Sequence, residues 1–203
     1  MSFFRRARGD DDERWIVFGL GNPGARYART RHNAGVMVVD ELLDRSTASL
    51  KRHKSGSLTA ETTLGDGRAV LARAATAYMN ESGRPLRELA SFYKVAPQRI
   101  VVVHDELDIP FGEVRVKVGG GTAGHNGLKS VAQHLRTKEF VRVRVGISRP
   151  RGDRDPVGWV LEDFSAAERA ELPRVLSDAA DAVERTLSDG VERAMNEFNT
   201  RAR

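Results

Sequence analysis

Short apolar strands alternate with helical stripes along nearly the whole chain, and this alternation limits the fold more than any other feature of the sequence. Residues 15–20 (WIVFGL) read as a buried strand, and residues 34–45 (AGVMVVDELLDR) as an amphipathic helix with apolar side chains at helical spacing. Asp66-Gly67 between two apolar runs is a hairpin signal, which makes SLTAETTL (57–64) and RAVLARA (68–74) its arms. Residues 82–93 suit a second helix, with Leu86, Leu89, Ala90 and Tyr93 on one stripe. The run 100–103 (IVVV) is apolar at every position, a strand of the buried type, and it ends in His104-Asp105. Residues 114–118 alternate, Gly119-Gly120-Gly121 breaks the chain, and residues 128–135 resume as a helix. Residues 140–147 alternate again, with Arg142 and Arg144 on the face opposite Val141, Val143 and Val145. Residues 165–198 are helical, opened by Ser165 and Glu168 as a capping box and divided at Gly190. Strands alternating with helices predict an α/β fold, a single-domain three-layer α/β/α sandwich around a mixed twisted sheet.

A chain of 203 residues suits one such domain, expected over residues 15–203. Residues 1–14 (MSFFRRARGDDDER) carry charge but no apolar stretch, so they predict a disordered leader rather than a secretory signal. No run approaches the ~20 apolar residues of a membrane helix, and no membrane partner is expected. The absence of cysteine excludes disulfides, a thiolate nucleophile and cysteine zinc sites, and it fits a reducing, cytoplasmic setting. Nothing in the sequence demands a dimer, and a monomer is the expectation. Charge is unevenly spread: residues 162–203 hold ten acidic side chains against six arginines, which leaves residues 15–161 with a net charge of +9. A basic body with an acidic end suits an anionic partner, nucleic acid first, although arginine-rich solvation accounts for composition alone equally well.

Gly19-Leu20-Gly21-Asn22-Pro23-Gly24 is a G-x-G-x-x-G directly after a strand, the form of a dinucleotide loop. Its surroundings argue against that use. The acids about 20 residues on, Asp40 and Glu41, lie in a helical pattern with no second strand before them. Pro23 removes a backbone N–H from the turn that would cradle phosphate, and residues 25–33 (ARYARTRHN) form a polar, basic loop without a helical stripe. No cofactor is expected.

Polar clusters sit where strands give way to loops, the usual position of ligands in α/β sheets. Asn22 and His32 follow the first strand, His104-Asp105 ends the IVVV strand, His125-Asn126 lies in GGGTAGHNG, and Met79-Asn80 precedes the second helix. One imidazole, one carboxylate able to hold its far nitrogen, and several amides suit a hydrolase without a protein nucleophile. The imidazole takes a proton from water, the carboxylate steadies the imidazolium, and the amides orient substrate and oxyanion. Singly, each residue has an ordinary structural use: a surface histidine, a cap, an Asn-Gly turn. The run His104-Asp105-Glu106-Leu107-Asp108 could hold a metal through its carboxylates, but no H-E-x-x-H spacing accompanies it, and no metal is expected.

Four motifs in order, GLGNPGARYARTRHNAG (19–35), YMNESG (78–83), HDELDIPFGEVRVKVGGGTAGHNGLKS (104–130) and FVRVRVGISRP (140–150), resemble the bacterial peptidyl-tRNA hydrolase family over about residues 15–196. The resemblance implies an enzyme that hydrolyses the ester between a peptide, or an N-blocked amino acid, and the ribose of tRNA. It implies His32 as the acceptor of the water proton, Asp105 as its stabiliser, and Asn22 as the residue that separates blocked from unblocked substrates. It further implies substrate contacts from Tyr27, Tyr78, Asn80 and Asn126, and a grip of Lys117 and Arg144 on acceptor-stem phosphate. The implied partner is peptidyl-tRNA, through its acceptor stem, 3′ end and peptide. Ala74-Ala75-Thr76-Ala77 and Thr122-Ala123 depart from the family pattern. A non-catalytic RNA-binding relative is the alternative, disfavoured because a pure binder needs no base and no residue to orient it. Residues 149–159 (RPRGDRDPVGW) are the expected mobile lid.

Overall fold

The computed structural model describes residues 14–201. In chain order the strands are β1 (Trp15–Gly19), β2 (Lys51–Arg52), β3 (Ser57–Leu64), β4 (Gly67–Ala74), β5 (Ile100–Glu106), β6 (Val114–Val118) and β7 (Val141–Gly146). The α-helices are α1 (Ala34–Asp44), α2 (Gly83–Tyr93), α3 (Asn126–Leu135), α4 (Pro156–Val160), α5 (Ala166–Ser188) and α6 (Val191–Thr200). The strands join in the order β2-β3-β4-β1-β5-β7-β6. The inner four run parallel, while β3 with β4 and β6 with β7 pair antiparallel, so the sheet is mixed as the alternation predicts.

Side chains on successive strand residues point to opposite faces, so an all-apolar strand needs cover on both sides. Val17, Val101 and Val103 enter the core beneath α1, α5 and α6, and Ile16, Phe18, Ile100 and Val102 enter the core beneath α2 and α3. Each fully buried side chain of this size contributes roughly 1.5–3 kcal/mol, which ties β1 and β5 to the centre of the molecule. The hairpin turns at Gly65-Asp66, Ser165 and Glu168 form a reciprocal capping box, and Gly190 (φ 90°) parts α5 from α6, all where the sequence places them.

Three features differ from expectation. The strand β5 continues past Val103 through His104, Asp105 and Glu106, because β7 pairs with it to its end and carries the register on to Glu106–Gly146. The two-residue β2 carries no apolar pattern; it is held by its ladder to β3. The expected lid contains the short helix α4, whose N-terminal amides at Val157 and Gly158 are capped by the Asp155 carboxylate. The expected leader lies outside the described residues except for Arg14, which pairs with Glu61 at 3.3 Å and lies over the Tyr93 ring. Among the described residues no helix is long and apolar enough to cross a membrane.

Candidate active site

The glycine loop after β1 is shaped by close packing. A Cβ on Gly19 would lie 2.3 Å from the Gly35 carbonyl oxygen, and one on Gly35 would lie 2.2 Å from that of Val103. Bare backbone at these positions lets the start of α1 press onto β1 and β5. Of the three motif glycines only Gly24, at φ 96°, uses a conformation that favours glycine. The Asn22 main chain is then fixed from both sides: its N–H donates to Asn33 Oδ1 at 2.8 Å, and Asn33 Nδ2 donates to the Asn22 carbonyl at 2.9 Å. Asn22 Oδ1 accepts from the Met79 amide at 2.9 Å. That contact orients the side-chain amide, and its Nδ2 is left without a partner among the described residues.

Two 3₁₀ turns, Ala25–Tyr27 and Arg31–Asn33, lie between the loop and α1, and the second carries His32 to the end of β5. His32 Nδ1 lies 3.0 Å from each carboxylate oxygen of Asp105. Asp105 Oδ1 also lies 3.0 Å from His125 Nε2. The tautomer of His125 follows from its other nitrogen: Nδ1 accepts from the Gly127 and Leu128 amides at 3.1 and 3.3 Å, capping α3, so the proton sits on Nε2 and is donated to Asp105. His32 donates its own Nδ1 proton to the same carboxylate, and its Nε2 lone pair remains free.

The titration behaviour follows from this arrangement. Burial lowers the His32 pKa, but the charge and hydrogen bond of Asp105 outweigh it and leave the imidazole above its ordinary value of 6.5. Burial alone would raise Asp105, yet His32 and His125 hold it far below the usual carboxylate range. His104 donates Nδ1 to the Asp105 carbonyl at 2.7 Å and is fully buried; burial, with His125 second, pushes it down to about 3, so it stays neutral.

A cavity of about 430 Å³ opens in front of this group, lined by Asn22, His32, Met79, Asn80, Asp105 and Asn126 and by residues of α4. Asn22, His32, Asp105, Asn80 and Asn126 are therefore gathered at one place. Tyr27 and Tyr78 lie outside the cavity wall, edge to face at 6.4 Å, with Tyr78 half exposed. Lys117 and Arg144 also lie outside it, on neighbouring strands β6 and β7, where Lys117 faces Arg142 and Arg144 faces Arg115 in the ladder. Arg142, almost fully buried, donates to the Gly121 and Gly120 carbonyls at 2.6 and 2.9 Å and braces the loop that leads to His125.

Four structural partners escape a sequence reading: Asn33, the capping role of His125, Arg31 and Arg142. The RHNAG and GHNG motifs display three of them, but nothing in the motifs says what they bond.

His32, Asp105 and His125 could in principle hold a metal, since one donor atom from each lies within 4.8 Å of the others. Both imidazoles, however, present protonated nitrogens to the carboxylate, and His125 is locked in that form by the α3 amides. The donor set fits N–H donors around an anion better than ligands around a cation. Glu106 lines the same cavity and accepts from the Asp108 amide at 3.5 Å, and the Asp108 carboxylate pairs with Arg149 at 2.6 Å.

A model of the family described as peptidyl-tRNA hydrolase matches residues 16–203. A curated peptidyl-tRNA hydrolase of Frankia alni is 53% identical over 189 residues, 93% of this chain and 95% of that protein. One of Mycobacterium tuberculosis (strain ATCC 25177 / H37Ra) is 52% identical over 181 residues, 89% and 95% of the two chains. A crystal structure of peptidyl-tRNA hydrolase from Acinetobacter baumannii superposes with a TM-score of 0.84 at 35% identity, covering 93% of this chain and 95% of that one.

Proposed function

This chain belongs to the peptidyl-tRNA hydrolase family and hydrolyses peptidyl-tRNA, and we propose that it does so through water activated by His32 under the control of Asp105. The observation that carries this reading is the 3.0 Å contact of His32 Nδ1 with both oxygens of a buried carboxylate, which leaves Nε2 as a free proton acceptor at the cavity wall.

Nε2 removes a proton from water as the oxygen attacks the ester carbonyl carbon, and Asp105 stabilises the imidazolium that forms. Charge develops on the carbonyl oxygen, where the unpartnered Asn22 Nδ2, with Asn80 and Asn126, supplies amide donors. Collapse of the tetrahedral intermediate breaks the bond to the ribose oxygen, which recovers the proton from His32. No enzyme acyl intermediate forms. Asn22 also discriminates against an unblocked amino group, Tyr27 and Tyr78 contact substrate at the rim, and Lys117 and Arg144 hold acceptor-stem phosphate. The working enzyme is a cytoplasmic monomer.

Single-turnover release of N-acetylaminoacyl groups from tRNA, with a chelator present, tests the scheme. His32→Ala is expected to lose activity by about 10²–10⁴-fold with little change in tRNA affinity, and Asn22→Asp to narrow the preference for blocked over unblocked substrate. Turnover retained in His32→Ala rules out the assignment.

A further inference from the structure

The residue beside His32 is an arginine buried as deeply as the core, with only 2% of its surface exposed. Burial of a guanidinium is costly unless its donors are met, and the acceptors for Arg31 come from α4, the segment after it and the start of α5. Nε and Nη2 donate to Glu168 at 3.4 and 2.7 Å, and Nη1 donates to the carbonyls of Trp159, Glu162 and Asp163 at 3.5, 3.3 and 3.0 Å. The guanidinium carbon lies 3.5 Å from the centre of the Trp159 ring. The main chain repeats the junction: Arg31 N donates to Glu162 O at 3.1 Å, and Thr30 forms a β-bridge with Asp163.

The helix held in this way lines the cavity. Pro156, Val157, Val160 and Leu161 line it, and Val157 and Leu161 are 67% and 42% exposed. A helix of one turn has no stability of its own, and its last carbonyls have no partner within it. Arg31 reaches the Trp159 carbonyl in that turn and, beyond it, those of Glu162 and Asp163; Trp159 Nε1 donates to the Ser148 carbonyl at 2.9 Å.

We propose that Arg31 is a positioning residue for substrate binding: it holds the apolar α4 wall of the cavity in place, so that the wall takes up the acyl part of the substrate equally before and in the transition state. The proposal rests on the reading of His32 as the base. One peptide bond separates the clamp from that base, so a shift at α4 is felt directly as a change in the width of the cavity.

Arg31→Lys tests it, because lysine keeps the charge while losing the planar fork and the flat face that stacks on Trp159. The expected result is a KM for N-acetylaminoacyl-tRNA raised by about tenfold with kcat within about twofold of the parent, and an unchanged acid limb of kcat. Trp15 is the other tryptophan, so a Trp15→Phe background isolates Trp159, whose emission is expected to shift to the red. Should Arg31→Lys fail to fold, Glu168→Gln takes its place, since glutamine keeps the capping box with Ser165 but removes the ion pair; the same changes, smaller, are expected.

A folded variant with parental KM and emission overturns the proposal. So does a red shift without a change in KM, or a fall in kcat at constant KM, either of which reduces Arg31 to a structural tie. The emission readout needs no turnover, so an active His32→Ala enzyme would sink the catalytic reading while leaving the clamp separately measurable.

Discussion

Replacing Asp105 with asparagine would do more than remove a charge, because His32 Nδ1 lies 3.0 Å from both carboxylate oxygens and an amide puts an NH₂ group in place of one of them. His125 cannot turn its proton away, since its Nδ1 is committed to the Gly127 and Leu128 amides. In Asp105→Asn the amide oxygen therefore takes the Oδ1 place beside His125, and the NH₂ takes the Oδ2 place 3.0 Å from His32 Nδ1, where it opposes a proton on Nδ1 and favours acceptance there. The His32 proton then moves to Nε2, the atom that should be receiving the proton of water. Two effects combine. The imidazolium is deprived of a carboxylate in direct contact with it, worth about 4 kcal/mol for charge centres about 4 Å apart at an effective dielectric of about 20, and the base is held in the wrong tautomer. At 1.36 kcal/mol per decade the first alone is about three decades, so a fall in kcat of roughly 10³–10⁴ is expected.

The pH profile supplies the sign. With His32 as the proposed base, the parent is expected to lose activity as pH falls through its raised pKa, above 6.5. With Asp105 neutral, burial acts unopposed and the residual activity should persist to lower pH. Removing the lock should also restore part of the rate: Asp105→Asn with His125→Ala lets the amide oxygen turn to His32, and the double variant should exceed Asp105→Asn by about tenfold or more, although loss of the α3 cap costs about 1 kcal/mol of stability. The assay is single-turnover ester hydrolysis between pH 5 and 9. Asp105→Asn within tenfold of the parent, or a double variant no faster than the single, refutes the tautomer argument.

Buried, neutral His104 should make the fold sensitive to acid. Its pKa is lowered to about 3 in the fold from 6.5, so the unfolded chain binds the extra proton and stability falls as pH drops from about 6.5 towards 3. Urea unfolding of His104→Gln should lose about 2 kcal/mol less than the parent between pH 7 and pH 5, and an unchanged pH dependence contradicts this. Lys117→Ala and Arg144→Ala should each weaken tRNA binding and flatten the dependence of log affinity on log salt by about one unit for each phosphate no longer neutralised; an unchanged slope places the phosphate grip elsewhere.

Much of the fold is legible in the chain because its signals are local. Asp66-Gly67 marks the hairpin, Ser165 with Glu168 marks a helix start, and alternation on 114–118 and 140–147 marks the strands that carry Lys117 and Arg144. The short helix α4 is not legible, since five residues show no helical period and it is held by Asp155, Trp159 and Arg31. Likewise GLGNPG looks like a phosphate cradle, while its first glycine is needed where α1 meets the sheet, an approach visible only once Gly35 lies against it.

The sequence by itself determined the layer order of helices and strands, the basic body, and the polar residues at strand ends from which a base, its partner and amide donors could be drawn. Only the tertiary structure decided which nitrogen of each imidazole holds a proton, that Asn33 fixes Asn22, and that Arg31 joins His32 to a wall formed more than a hundred residues later. The reason is physical. Periodicity records which side of an element avoids water, but a hydrogen-bond partner is set by where the sheet order places distant residues, and a proton's position by the donors already committed around it.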